Sequence, residues 1–215
     1  MKTRVRRRVF WWSLSSGYIV LLYITLPLGR PVITCMRKYL GPTEQSYLMY
    51  SIFAITAAGL LGYLIARFKT FAPQAFICFF LLCLLYKYEF TTLITYPEER
   101  LHFLEYGVLA LVLFKSFSVD FRGIWPYIGT ACAGALVGFG DEGVQYCTIY
   151  LPAVFKALGI ESIDPATFRR YFGWSDVKIN ALGVMYGLAF IATVFRNRRM
   201  LPVPTSAGAG SETIS

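Results

Sequence analysis

Histidine occurs once in these 215 residues, at His102, and aspartate and glutamate together only twelve times. The five cysteines, Cys35, Cys78, Cys83, Cys132 and Cys147, contain no CxxC pair. One imidazole and no paired thiols argue against a structural or protease-type zinc centre. Cys78, Cys83 and Cys132 lie inside apolar runs and read as small hydrophobes. Cys35 and Cys147 fall where both can reach one side of a membrane, but spacing alone does not pair them. No GxSxG, P-loop or dinucleotide fingerprint is present, which removes the common soluble-enzyme classes. An SxxK tetrapeptide, Ser175 to Lys178, stands without companion motifs and carries no weight.

Charge is also scarce, at 15% of residues, whereas 56% are hydrophobic and the mean hydropathy is +0.53. Apolar runs long enough to cross the hydrocarbon core recur along the chain. The expected fold is all-α, a polytopic membrane helix bundle whose first partner is the lipid bilayer. The net charge of +9 gathers in the flanks of these runs, where basic residues set topology, so nucleic acid is not an expected partner.

The basic start, Lys2 to Arg8, precedes an apolar run over about Val9–Leu28 with no small-x-small cleavage site after it. It reads as a retained first helix, with Phe10, Trp11 and Trp12 in the interfacial belt. A polar connection is expected over about Gly29–Gln45, where Pro31, Gly41 and Pro42 break the pattern. Further spans are expected over about Tyr47–Ala66, Gln74–Ile94, Leu101–Phe117, Ile124–Cys147 and Trp174–Phe195. Residues 1–96 carry no motif, 97–201 carry the polar core, and 202–215 read as a disordered tail. Six spans put both termini on one side. Placing them inside leaves twelve Lys and Arg on inner segments against seven on longer outer ones, so both termini are expected in the cytoplasm. In that topology ten of the twelve acids, all but Asp120 and Glu212, lie at or near the outer face.

Three groups of polar residues then converge. Gly134, Gly138, Asp141 and Gln145 recur at steps of four, three and four on one helix face, with Glu142 beside them. Glu98, His102 and Glu105 share a face of the fourth helix, and Asp176, Asn180, Gly183 and Gly187 share one on the sixth. Intramembrane acids are costly unless they face protein, water or an ion, so this is a candidate site. Blander readings are that Asp141 and Glu142 mark the membrane surface, that His102 is an inert interfacial histidine, and that Asp176 complements the helix dipole after a Ser175 N-cap. Gly134-x-x-x-Gly138 and Gly183-x-x-x-Gly187 permit close helix contact and suggest that helices five and six touch. His102 with Glu105 or Glu142 could serve as general acid and base on a lipid headgroup, carboxylate contact orienting the ring. Lys87, Arg100 and Arg170 could hold a phosphate. Oxygen donors from Asp141, Glu142, Gln145, Asp176 and Asn180 would suit a hard divalent cation such as Mg²⁺ or Ca²⁺.

These residues resemble the VanZ-like family of bacterial membrane proteins, named for teicoplanin resistance. Three blocks carry the likeness: Pro97-Glu-Glu-Arg-Leu-His102-Phe103-Leu-Glu105-Tyr106, Gly138-Phe-Gly-Asp141-Glu142-Gly-Val-Gln145, and Asp176-Val-Lys-Ile-Asn180-Ala-Leu-Gly183. Glu98-Glu99-Arg100 stands where the pattern has an Asp-Lys pair. Arg170 would supply the arginine before the third block, with 153–168 as an insertion. The resemblance implies a multi-pass protein of the bacterial cytoplasmic membrane, linked in one member to reduced teicoplanin susceptibility. Expected catalytic residues are His102, Glu105 and Glu142, and expected substrate-binding residues are Asp141, Gln145, Arg170, Asp176 and Asn180. The leading expectation is an outward pocket for a lipid-linked or cell-surface substrate. Alternatives are a proton- or cation-coupled transporter or flippase, and a non-catalytic envelope assembly factor.

Overall fold

The computed structural model describes residues 2–67, 71, 73–92, 100–147, 150 and 173–196. Among these residues lie six α-helices: α1 Lys2–Tyr39, α2 Pro42–Ala66, α3 Pro73–Thr92, α4 Arg100–Asp120, α5 Trp125–Cys147 and α6 Trp174–Arg196. No strand occurs among the described residues, as the apolar patterning predicts. Four helices are long and apolar enough to cross a membrane, over Thr43–Ala66, Pro73–Thr92, Arg100–Asp120 and Trp174–Val194. α1 and α5 are not among these four; they carry the basic start and the Asp141-Glu142 pair. Large apolar side chains face outward, Ile55 and Leu136 each 72% exposed, as lipid contact requires and water would penalise.

The expected polar connection from Gly29 is corrected. α1 continues to Tyr39, and the break comes at Gly41, with Pro42 opening α2. A proline sets φ near the helical value and removes one hydrogen bond, so in an apolar segment it does not force an end. At Gly41 the chain turns to extended backbone, ψ 167°, and proline in the first turn loses no helical bond. Between α4 and α5 the turn uses Gly123 at φ +68°, a left-handed conformation that side-chain-bearing residues rarely adopt.

α4, α5 and α6 form the centre, with α1 against α4 and α5, α3 against α6, and α2 against α3. Tyr106, Leu109, Leu113, Val137, Val184 and Ile191 make the central apolar core. A second core joins Leu64, Phe71, Ala75 and Phe79 to Val194. Close approach depends on glycine: a Cβ at Gly134 would stand 2.7 Å from Val184, and one at Gly138 2.9 Å from Asn180. Helices five and six therefore touch as expected, but Gly183 and Gly187 serve α4. Added Cβ atoms there would meet Tyr106 at 2.9 Å and Ala110 at 2.8 Å.

Candidate functional site

α4 and α6 begin at the end of the bundle where α5 finishes, so His102, Asp141 and Asn180 meet within one turn or two of that end. Asp141 is the hub. Tyr106 Oη donates to Asp141 Oδ2 at 2.9 Å, and Gln145 Nε2, one turn along α5, donates to Oδ1 at 2.6 Å. Asn180 Nδ2 lies 3.4 Å from both Asp141 Oδ2 and the Gly138 carbonyl. Three helices thus converge on one carboxylate, and Asp141, Gln145 and Asn180 are each at most 4% exposed. Buried polar groups are tolerated in such surroundings because each finds partners within the bundle.

His102 stands at the rim, with Nδ1 3.5 Å from Glu105 Oε2 and 4.0 Å from Asp141 Oδ2. These are ion-pair distances, yet among the described residues His102 Nδ1 accepts or donates no hydrogen bond. The Glu105 side chain is 41% exposed, against 15% for His102, so the cluster reaches the surface on the Glu105 side. Asn180 Oδ1 is likewise buried without a hydrogen-bond partner among the described residues. Two α1 tyrosines brace this region: Tyr18 Oη donates to the Glu105 carbonyl at 3.0 Å and Tyr23 Oη to the Val137 carbonyl at 3.1 Å.

Glu142 is fully buried and accepts a hydrogen bond from the Gly173 amide at 3.1 Å. Gly173 precedes the first turn of α6, so a carboxylate sits against the positive end of that helix dipole. Ser175 is inside the helix rather than at its N-cap, because α6 opens at Trp174. Asp176 is a first-turn acid, 3.4 Å from Ser175 Oγ, and does not join Asp141. The dipole reading of Asp176 thus fits the geometry better than a place in the cluster. The five oxygen donors considered for a divalent cation do not converge: donors already face Asp141, Glu142 turns to Gly173, and Asp176 lies apart. Among the described residues no group of three His, Cys, Asp or Glu side chains could hold a metal ion.

Arg100 is engaged elsewhere, its guanidinium 4.6 Å from the Tyr50 ring centre and Nη2 3.5 Å from the Phe90 carbonyl. It ties the start of α4 to α2 and α3. Lys87 is exposed on α3. Glu98, Arg170 and the 202–215 tail lie outside the described residues. Cys35 and Cys147 are free and exposed.

Tyr106 is the member of the cluster that sequence reasoning passed over. A tyrosine in an apolar run reads as core, which Tyr106 also is. The available signal was its position four residues after His102, on the same face, with a hydroxyl that cannot stay unpaired away from water. The buried Glu89, whose Oε1 accepts from Tyr186 Oη at 3.2 Å, was missed in the same way. Comparisons with protein-family models, with curated proteins and with solved structures find no match to this chain.

Proposed function

We propose that the cluster binds the polar headgroup of a lipid-linked or cell-surface substrate and exchanges protons with it through His102 and Glu105. The carrying observation is His102 Nδ1, held within ion-pair range of two carboxylates and left without a hydrogen bond among the described residues. A buried polar nitrogen in that state has capacity for a donor or acceptor brought by a ligand. Asp141 orients the ring from within, being itself fixed by Tyr106, Gln145 and Asn180. Glu105 meets the surface and provides the proton route outward. Glu142, expected as a catalytic acid, is in this reading a positioning residue that sets the start of α6 and hence Asn180. The protein around the site is a six-span, VanZ-like protein of the bacterial cytoplasmic membrane with both termini inside, a reading supported by the all-helical bundle and the Lys and Arg distribution.

The test is teicoplanin susceptibility of a sensitive Gram-positive host expressing the full chain, with His102→Gln and Glu105→Gln at matched membrane abundance. Protection by the wild type that both variants lose, with unchanged melting of the purified proteins, is the expected outcome. Full protection by both variants would remove His102 and Glu105 from the mechanism. No protection by the wild type would sever the glycopeptide link.

A further inference from the structure

At the far end of α4, about 20 Å along its axis from His102 by helix rise, two adjoining spaces share Lys115, Ser118 and Arg122. The first is a cleft of about 540 Å³ walled by Arg4, Arg7 and Trp11 from α1 and by Lys115, Asp120 and Arg122 from the end of α4. Arg4, Arg7 and Trp11 recur at steps of three and four, so α1 presents them on one face. Lys115 and Ser118 lie a turn apart on α4, and Arg122 follows in the turn after it. Asp120, the acid of this wall among the described residues, is already engaged: Arg8 Nε lies 3.1 Å from Asp120 Oδ1, and Trp12 Nε1 donates to Oδ2 at 2.9 Å. Arg4, Arg7 and Arg122 therefore line the cleft beside Lys115 with this acid held by α1.

The second space is a groove of about 1130 Å³ with a mainly apolar wall, including Phe114, Tyr127, Ile128, Ala131, Leu188 and Ala192. It exceeds the usual range of compact ligand pockets. A free anion would use the cleft and leave the groove unexplained, and an apolar ligand would leave the cations unexplained. One ligand class answers both, with a phosphate at its head and hydrocarbon behind it. Basic pockets between membrane helices take anionic headgroups, and Trp11 at the mouth suits the interface.

We propose that the cleft and groove form a single binding site for an anionic glycerophospholipid, its phosphate among Arg4, Arg7, Lys115 and Arg122 and its acyl chains along the Phe114–Leu188 groove. The lipid would bridge α1 to the α4–α5 turn, whose left-handed Gly123 brings Arg122 to the junction of the two spaces.

The full-length protein, purified in detergent, is titrated with phosphatidylglycerol and with phosphatidylcholine of the same chains, and bound lipid is read by native mass spectrometry. The expected result is preference for phosphatidylglycerol. Arg7→Gln with Arg122→Gln is expected to weaken phosphatidylglycerol about thirty-fold and leave phosphatidylcholine unchanged. Ala131→Phe, which fills the groove and keeps every cation, is expected to weaken phosphatidylglycerol as well. Arg4→Gln with Lys115→Gln carries the same expectation as the first pair and serves if that pair misfolds. Equal affinity for the two lipids, or an undiminished preference in a folded double variant, would overturn the proposal. So would displacement of the lipid by millimolar inorganic phosphate, which would mark a site for the free ion.

Discussion

Asp141 is held by donors from three helices, and that makes it the residue on which the central packing depends. Tyr106 comes from α4, Gln145 from α5 and Asn180 from α6. A buried network in this state fixes one arrangement, and removing a single donor leaves an acceptor unsatisfied. Tyr106→Phe deletes one hydroxyl and no ring volume. It is expected to lower stability by about 1 to 3 kcal/mol, read as a drop in melting temperature of the detergent-purified protein. An unchanged melting temperature would show that Asp141 does not need this donor. His102→Gln should leave melting nearly unchanged, since His102 Nδ1 contributes no hydrogen bond to the described structure. The contrast separates a residue that holds the cluster from one that uses it.

At the scale of the helix, glycine decides which pairs come close. Gly187→Ala would drive a methyl toward the Gly107 carbonyl, 3.0 Å away, where no side chain can yield. Gly62, on α2, has nothing within 4 Å of an added Cβ. Gly187→Ala is expected to destabilise the protein clearly, while Gly62→Ala is expected to be neutral or to gain up to about 1 kcal/mol of helix propensity. Thermal melting of the two variants side by side checks both. The step-four spacing announced that these glycines permit contact, and Gly134 and Gly138 meet α6 as that spacing predicts. It does not name the partner of Gly183 and Gly187, because a small-residue face is compatible with any neighbour; α4 takes that place. The same limit applies to Asp176 and Asn180. Their shared face was legible, but one turn of difference in depth separates a dipole-facing acid at the helix start from an amide in the core. The length of α1 was hidden by prolines that read as breaks. The basic cleft was hidden because its arginines come from α1 and from the turn after α4, more than a hundred residues apart, and basic residues beside apolar runs read as topology signals.

For the whole molecule, the helix order puts His102, Asp141 and Cys147 at one end of the bundle and Asp120 at the other, where Arg8 of α1 meets it. On the proposed topology, with both termini inside, a membrane-impermeant thiol reagent applied to intact cells should label Cys147 in a background lacking the other cysteines. Ser118→Cys in a cysteine-free background should label only after permeabilisation. The reverse pattern would invert the topology and move the polar cluster to the cytoplasmic face. The positions of the four spans at α2, α3, α4 and α6 were legible, since apolar runs of this length have few alternatives. The meeting of α5 and α6 through Glu142 was not, because it joins residues on either side of a long connection. The bond from Gly173 to Glu142 has an architectural consequence. It makes the start of α6 answerable to the end of α5. Glu142→Ala should therefore loosen the first turn of α6 and, one turn on, the hold of Asn180 on Asp141, read as a lower melting temperature of the detergent-purified protein; unchanged melting would free the two helix ends from one another.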